Sequence, residues 1–287
     1  MVQQPLAYLD PDFLDSDEGR PIRIIAEYLE PLRRFREQKI QDTVVFFGSA
    51  RVDSRERAER ALGTLRARGD RDADEQYQLE LKKSRKAVEW ARYYEDAREL
   101  ARLLTTWTQT LQSDNHRFVV TSGGGPGIME AANRGAHEAG GKTIGLNIRL
   151  PFEQDANPYI TEGLHFEFHY FFMRKFWFAY LAKALVVFPG GFGTMDEMME
   201  ILTLVQTDKL SKKIGVVLYG REYWEKVLDL QPMAEWGAIA EKDLELLHYA
   251  DTPADAFEHL RDHLIADHLN PSTDEQAGPP GIAKTRG

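Results

Sequence analysis

Short apolar runs alternate along this chain with longer stretches in which apolar positions recur every three or four residues. Thr43–Phe47, Arg117–Thr121, Lys142–Asn147, Ala184–Phe188 and Lys213–Tyr219 have the length and composition of buried strands. Leu164–Phe168 and Leu246–Tyr249 are weaker strand candidates. Helical spacing marks Ile22–Gln38, through Ile25, Leu29, Leu32 and Phe35, with Pro31 predicting a kink or break. The same spacing marks Gln76–Leu111, Ile128–Ala139, Tyr170–Lys183, Met195–Val205, Glu222–Leu230 and Ala254–His268. Strand and helix in regular alternation predict an α/β protein with a doubly wound parallel sheet.

The pattern also divides the chain. Met1–Gly19 is acidic and lacks periodicity, so it reads as an extended or disordered lead. With the helix after it, it forms an N-terminal extension over residues 1–40. Residues 41–269 read as a single domain, and 270–287, rich in Pro, Gly, Ser and Thr, as a disordered tail. Val52–Gln112 is too long for an ordinary strand-to-strand connection. It predicts a helical insertion over about 53–112, with Arg55–Asp74 partly a mobile loop and Gln76–Leu111 a long helix with a solvated charged face.

Composition removes several functions. The chain has 287 residues, 43% of them hydrophobic, enough for one large core. It has no cysteine, which excludes disulfides, thiolate nucleophiles and zinc–thiolate sites. The start lacks a secretory pattern and no apolar run reaches membrane-span length, so a cytoplasmic protein without membrane contact is expected. A net charge of −10 argues against nucleic-acid binding, which needs basic surface. A small phosphorylated ligand needs only a local positive site. His165 and His169 lie four apart, but no third ligand has matching spacing, and no metal is expected.

The chemistry concentrates in Phe171–Val205. There Arg174 and Lys175 precede the strand Ala184–Phe188, which is followed by Pro189, Gly190, Gly191, Phe192, Gly193 and Thr194. Thr194 stands where a helix N-cap belongs, and Glu197 three residues on completes a capping box. A strand, a glycine turn and a helix N-terminus in succession favour a bound phosphate. Ser122-Gly123-Gly124-Gly125-Pro126-Gly127 repeats the arrangement, so Gly124, Gly125 and Gly127 are candidate ligand contacts, while Glu130 and Asn133 in the next helix are either polar contacts or simple helix-start residues. Gly48-Ser49-Ala50-Arg51 closes the first strand and brings Ser49 to the same end of the sheet. Neither glycine loop has the Gly-Lys-Ser/Thr of a P-loop or the spacing of a dinucleotide fingerprint, so the site suits a monophosphate and a sugar.

MRK at Met173–Lys175 followed by PGGFGTMDE at Pro189–Glu197 resembles the signature of the Lonely Guy (LOG) family, and a looser likeness runs from about Thr43 to about Leu228. Those proteins are nucleoside 5′-monophosphate phosphoribohydrolases, many once labelled lysine decarboxylases. The resemblance implies a Rossmann-like fold and cofactor-free cleavage of the N-glycosidic bond in AMP or a cytokinin riboside monophosphate. It implies catalytic roles for Arg174 and Glu197. It also implies nucleotide contacts by Lys175, by the Gly190–Thr194 loop, by Thr203, and by Glu153 as the nearest match to a loop glutamate of the family.

Cleaving that bond builds positive charge on the ribose, which a carboxylate stabilises while orienting water. Glu197 fills that part. Arg174 either keeps it ionised, orients the substrate or stabilises the departing base. The alternative is a nucleotide- or molybdenum-cofactor-binding carrier without catalysis, which has no need of the Arg–Glu pair. A pyridoxal-phosphate decarboxylase fits poorly, since nothing around Lys175 suggests an imine site. Phe171, Phe172, Phe176, Trp177, Phe178 and Tyr180 exceed what one helix face buries on its own sheet, and family members pair through nearby helices, so a homodimer or larger even assembly is expected.

Overall fold

In strand β1 (Thr43–Phe47), Val44 and Phe46 join one hydrophobic core while Val45 and Phe47 join another. That alternation makes β1 the centre of a sheet covered on both faces. The structure, a computed structural model, describes residues 5–68, 75–150, 155–207, 209–210 and 212–269. The remaining strands are β2 (Val119–Ser122), β3 (Thr143–Ile148), β4 (His165–Phe168), β5 (Ala182–Val187), β6 (Gly215–Tyr219) and β7 (Leu247–Ala250). The seven strands run in the order β4-β3-β2-β1-β5-β6-β7, and every pairing is parallel. The chain winds outward from β1 through β2 and β3 to β4, then crosses back to β5 and winds the other way. The direction of winding therefore reverses between β1 and β5, and the doubly wound expectation holds.

Ten α-helices are described: α1 (Pro11–Asp15), α2 (Arg20–Glu37), α3 (Arg55–Ala67), α4 (Glu75–Thr108), α5 (Ile128–Glu138), α6 (Phe171–Leu181), α7 (Phe192–Gln206), α8 (Arg221–Val227), α9 (Gln231–Glu235) and α10 (Pro253–Leu264). One core packs α2, α6 and α7 on the sheet, and the other packs α4, α5 and α10. Among the described residues no helix is long and apolar enough to cross a membrane.

The structure corrects several expectations. Residues 7–15 are helical rather than extended: a 3-10 turn at Ala7–Leu9 is followed by α1, whose first N–H groups are capped by the Asp10 carboxylate. Much of the expected mobile loop at Arg55–Asp74 is helix α3. The Ser54 hydroxyl caps it, and buried Ala58 and Leu65 anchor it despite its charge and Gly63. Residues 69–74 lie outside the described residues, as does the tail 270–287. The helix expected to run to Lys183 stops at Leu181, because Ala182 already begins β5. The helix read over Glu222–Leu230 is the shorter α8.

Pro31 does not end its helix, for α2 continues through it. Proline lacks the N–H that would bond the Glu27 carbonyl. The indole Nε1 of Trp177 donates to that carbonyl instead, at 2.9 Å. The Glu27 carboxylate in turn accepts from the backbone N–H groups of His169, at 2.7 Å, and Tyr170, at 3.2 Å, at the start of α6. A negative group at a helix N-terminus is favourable. The residue that loses a helical bond thus locks α2 to the helix carrying Arg174.

Candidate functional site

The winding reversal places the carboxyl ends of β1 and β5 side by side, where doubly wound sheets bind ligands. Ser49 is the hub of that end. Its N–H donates to the Pro189 carbonyl at 3.0 Å, and its carbonyl accepts from the Ile128 N–H at 3.1 Å. One residue therefore ties the β1 turn to both glycine loops. Its backbone is fully committed, and its hydroxyl accepts from the Arg51 N–H at 3.1 Å.

The Gly123–Gly127 loop is held by a buried polar network. Asn157 Nδ2 donates to the carbonyls of Gly124 and Gly125 and to Asn133 Oδ1, at 3.1, 3.1 and 2.9 Å. Asn133 is bonded in turn to Ser122, Thr143 and the Ile144 carbonyl. Gly127, at φ +72°, sits so close to Ser49 that a Cβ would lie 2.3 Å from the Ser49 carbonyl oxygen. Gly124, at φ +73°, is pressed against Asn147, whose buried Oδ1 has no partner. Glu130 in the first turn of α5 pairs with Arg57 of α3 and accepts from the Tyr94 hydroxyl of α4 at 2.6 Å. Its role here is to tie the helical insertion to this loop.

The second loop departs from the expected cap. Helix α7 begins at Phe192 with Gly191 as its N-cap, so Thr194 lies inside the first turn and makes no side-chain cap bond. The capping box is not formed. The chain turns helical directly after Gly191, and the Thr194 side chain packs over Gly190, where a Cβ would lie 2.1 Å from its hydroxyl. The first helical bond of α7 runs from the Met195 N–H to the Gly191 carbonyl at 3.0 Å. The N–H groups of Phe192, Gly193 and Thr194 precede it and are free to meet an anion. Gly191 and Gly193 are exposed, and Phe192 stands 94% exposed at the lip.

Freed from capping, Glu197 in the second turn of α7 accepts from Arg174 Nη2 of α6 at 2.5 Å. Glu197 is buried and Arg174 partly so. Burial pushes the Glu197 carboxyl up from its ordinary value, and Arg174 pulls it part of the way back. The Arg174 guanidinium lies over the rings of Phe171 and Phe178, 5.5 and 5.4 Å from their centroids. Its Nε is buried without a partner, a donor still unspent beside the carboxylate.

Other candidates stand apart from this pair. Lys175 spans α6 and α7, with Nζ 2.8 Å from Asp196 and 2.9 Å from Glu200. Burial lowers its pKa, but the two carboxylates outweigh that and raise it. Thr203 is exposed and donates to the Met199 carbonyl of its own helix at 2.8 Å. It lies about 16 Å along the helix from Phe192. Glu153 falls outside the described residues. Asn147, Asn157 and Tyr223, whose hydroxyl donates to the Gly190 carbonyl at 2.8 Å, were not singled out from sequence as site residues. Among the described residues no group of three or more His, Asp or Glu is placed to hold a metal ion. Two concavities lie away from the cleft, one of about 520 Å³ between α3 and α4 and one of about 470 Å³ between α2 and α6.

Residues 129–260, a stretch that includes Arg174 and Glu197, match the family described as "Possible lysine decarboxylase". The chain is a distant homologue of LOG proteins over about half its length. A probable cytokinin riboside 5′-monophosphate phosphoribohydrolase of Arabidopsis thaliana is 26% identical over 146 residues, covering 51% of this chain and 72% of that one. A cytokinin riboside 5′-monophosphate phosphoribohydrolase of Oryza sativa subsp. japonica is 27% identical over 153 residues, and the match spans 51% of this chain and 60% of the relative. Among solved structures, the Moco carrier protein of Chlamydomonas reinhardtii aligns at 20% identity with a TM-score of 0.44, over 79% of this chain and 99% of that one.

Proposed function

We propose that this protein hydrolyses a nucleoside 5′-monophosphate to free base and ribose 5-phosphate, with Glu197 and Arg174 as catalytic residues. The largely buried Arg174–Glu197 pair beside the glycine-opened N-terminus of α7 carries the proposal. The free N–H groups of Phe192, Gly193 and Thr194 suit the phosphate. With the phosphate there, the ribose lies toward the second turn of the helix, where Glu197 stands. As the glycosidic bond breaks, its electrons leave with the base and positive charge develops on the ribose. The Glu197 carboxylate stabilises that charge and takes a proton from the attacking water. Its raised pKa makes it a better base than an exposed glutamate, and Arg174 favours the ionised form that the reaction needs. The names of the distant relatives agree with this substrate class.

The test is incubation of the pure protein, without added metal or cofactor, with AMP, GMP, CMP, UMP and N6-prenylated AMP, followed by separation of the bases. Release of a purine base is expected. Tight nucleotide binding with no base released from any of the five would refute the hydrolase and favour a carrier.

A further inference from the structure

The long helix α4 belongs to the insertion, yet its aromatic residues reach the glycine loop at the far side of the cleft. Tyr223 of α8 is the link. Its hydroxyl donates to the Gly190 carbonyl at 2.8 Å. Its ring is fixed by edge-to-face contacts with Trp90 of α4, at 5.6 Å and 89°, and with Trp224, at 5.1 Å and 85°. Next to Trp90 in this cluster is Tyr93, with centroids 6.1 Å apart. Tyr93 presses on Gly220, which opens α8 at φ +87° and has no room for a Cβ. Burial, with Tyr93 beside it, raises the Tyr223 phenol above its ordinary value, so its hydroxyl remains a donor at neutral pH.

We infer that Tyr223 is a positioning residue for phosphate recognition, and that the α4 insertion serves as its splint through Trp90. The inference rests on the phosphate being held at the α7 N-terminus, as proposed above. A peptide unit bonded at its carbonyl cannot rotate freely, so anchoring Gly190 restricts the peptide planes that follow it. The orientation of the Phe192, Gly193 and Thr194 N–H groups depends on those planes. On the other loop, Asn157 holds Gly124 and Gly125 by their carbonyls in the same way. Tyr223 touches neither Arg174 nor Glu197, so its effect belongs to binding of the phosphate rather than to breaking of the bond.

The experiment measures AMP and adenosine affinity by calorimetry, and base release from AMP, for the whole protein and for Tyr223→Phe, Trp90→Leu and Trp90→Phe. Losing one neutral hydrogen bond should weaken AMP binding by about 3- to 10-fold in Tyr223→Phe. Adenosine affinity and kcat should stay within about twofold, so that the loss appears in KM. Trp90→Leu should show part of the same loss, and Trp90→Phe, which keeps an aromatic edge, should restore it. Unchanged AMP affinity in Tyr223→Phe overturns the inference, as does equal weakening of AMP and adenosine or a wild-type protein that binds no AMP. AMP binding that responds to Tyr223→Phe without any base release overturns only the hydrolase proposal. Base release with unchanged affinity in the variant overturns only this inference.

Discussion

Glu197 is the residue on which chemistry and stability pull in opposite directions. Its carboxyl is buried and its pKa raised, first by desolvation, with Arg174 opposing. A raised carboxyl pKa means that folding favours the protonated form. The stability it contributes is fully present below its ordinary value of 4.5 and is lost as pH rises through the folded value. At neutral pH the ionised form is therefore a cost to the fold, and it is the form that the proposed chemistry requires. Glu197→Gln should slow base release by roughly 10²–10³-fold. Its melting temperature should equal or exceed that of the wild type at pH 7, and the advantage should vanish when both proteins are melted below pH ~4.5. A variant that is folded and fully active would reduce Glu197 to a packing residue. One that melts lower at pH 7 would show that the bond to Arg174 outweighs desolvation.

At the scale of elements, the contact between α2 and α6 makes the sharpest prediction. The Glu27 carbonyl is left without its helical donor by Pro31 and is served by Trp177 Nε1. Trp177→Phe leaves that carbonyl unpaired in a partly buried place, which should cost about 1 kcal/mol in chemical denaturation. Pro31→Ala supplies a new N–H, so it should recover part of the loss in the Trp177→Phe background while changing little alone. Simple additivity of the two substitutions would exclude this exchange of donors.

That bond also shows what a sequence displays and what it hides. Strands buried on both faces, such as Thr43–Phe47, are continuous apolar runs and were legible, as were the glycine loops and the Arg174–Glu197 pair. Helix α3 was hidden because its charge and Gly63 imitate a loop, while only Ala58 and Leu65 are buried. The capping role assigned to Thr194 failed because Gly193, read as part of a turn, lies inside the helix. Tyr223 and Asn157 act on loop carbonyls 33 residues away in both cases, and such bonds leave no periodic trace. The three free N–H groups of α7 are backbone, so only the glycine turn before them pointed to their place.

For the molecule as a whole, helix α2 takes up part of what the sequence left to a second subunit. Trp177, Phe178 and Tyr180 are buried within the chain, and Tyr28 and Phe35 of α2 pack on Trp177. Phe171 and Phe172 remain about half exposed, as do Ile22, Ile25 and Leu29. Ile25 and Phe172, with Ile24, Tyr28, Met173 and Phe176, line an apolar concavity between α2 and α6. A homodimer closing this face is our expectation. Light scattering at micromolar concentration should give an even multiple of the 32.9 kDa chain, and Phe172→Glu with Ile25→Glu should give the monomer. A monomeric wild type would refute it.

The strand order has a consequence for biosynthesis. Thr43 of β1 lies beside Val119 on one side and Ala182 on the other. On the ribosome, the central strand emerges early and must wait for most of the chain before its second neighbour is made. Until then it presents an open, largely apolar edge, the kind that invites pairing with the wrong chain. No amino-terminal fragment ending before β5 can complete the cleft. The helices that precede and follow β1, α2 through α4, are made of local contacts and can form first. They can shield that strand until β2 is made, and its other edge must wait for β5.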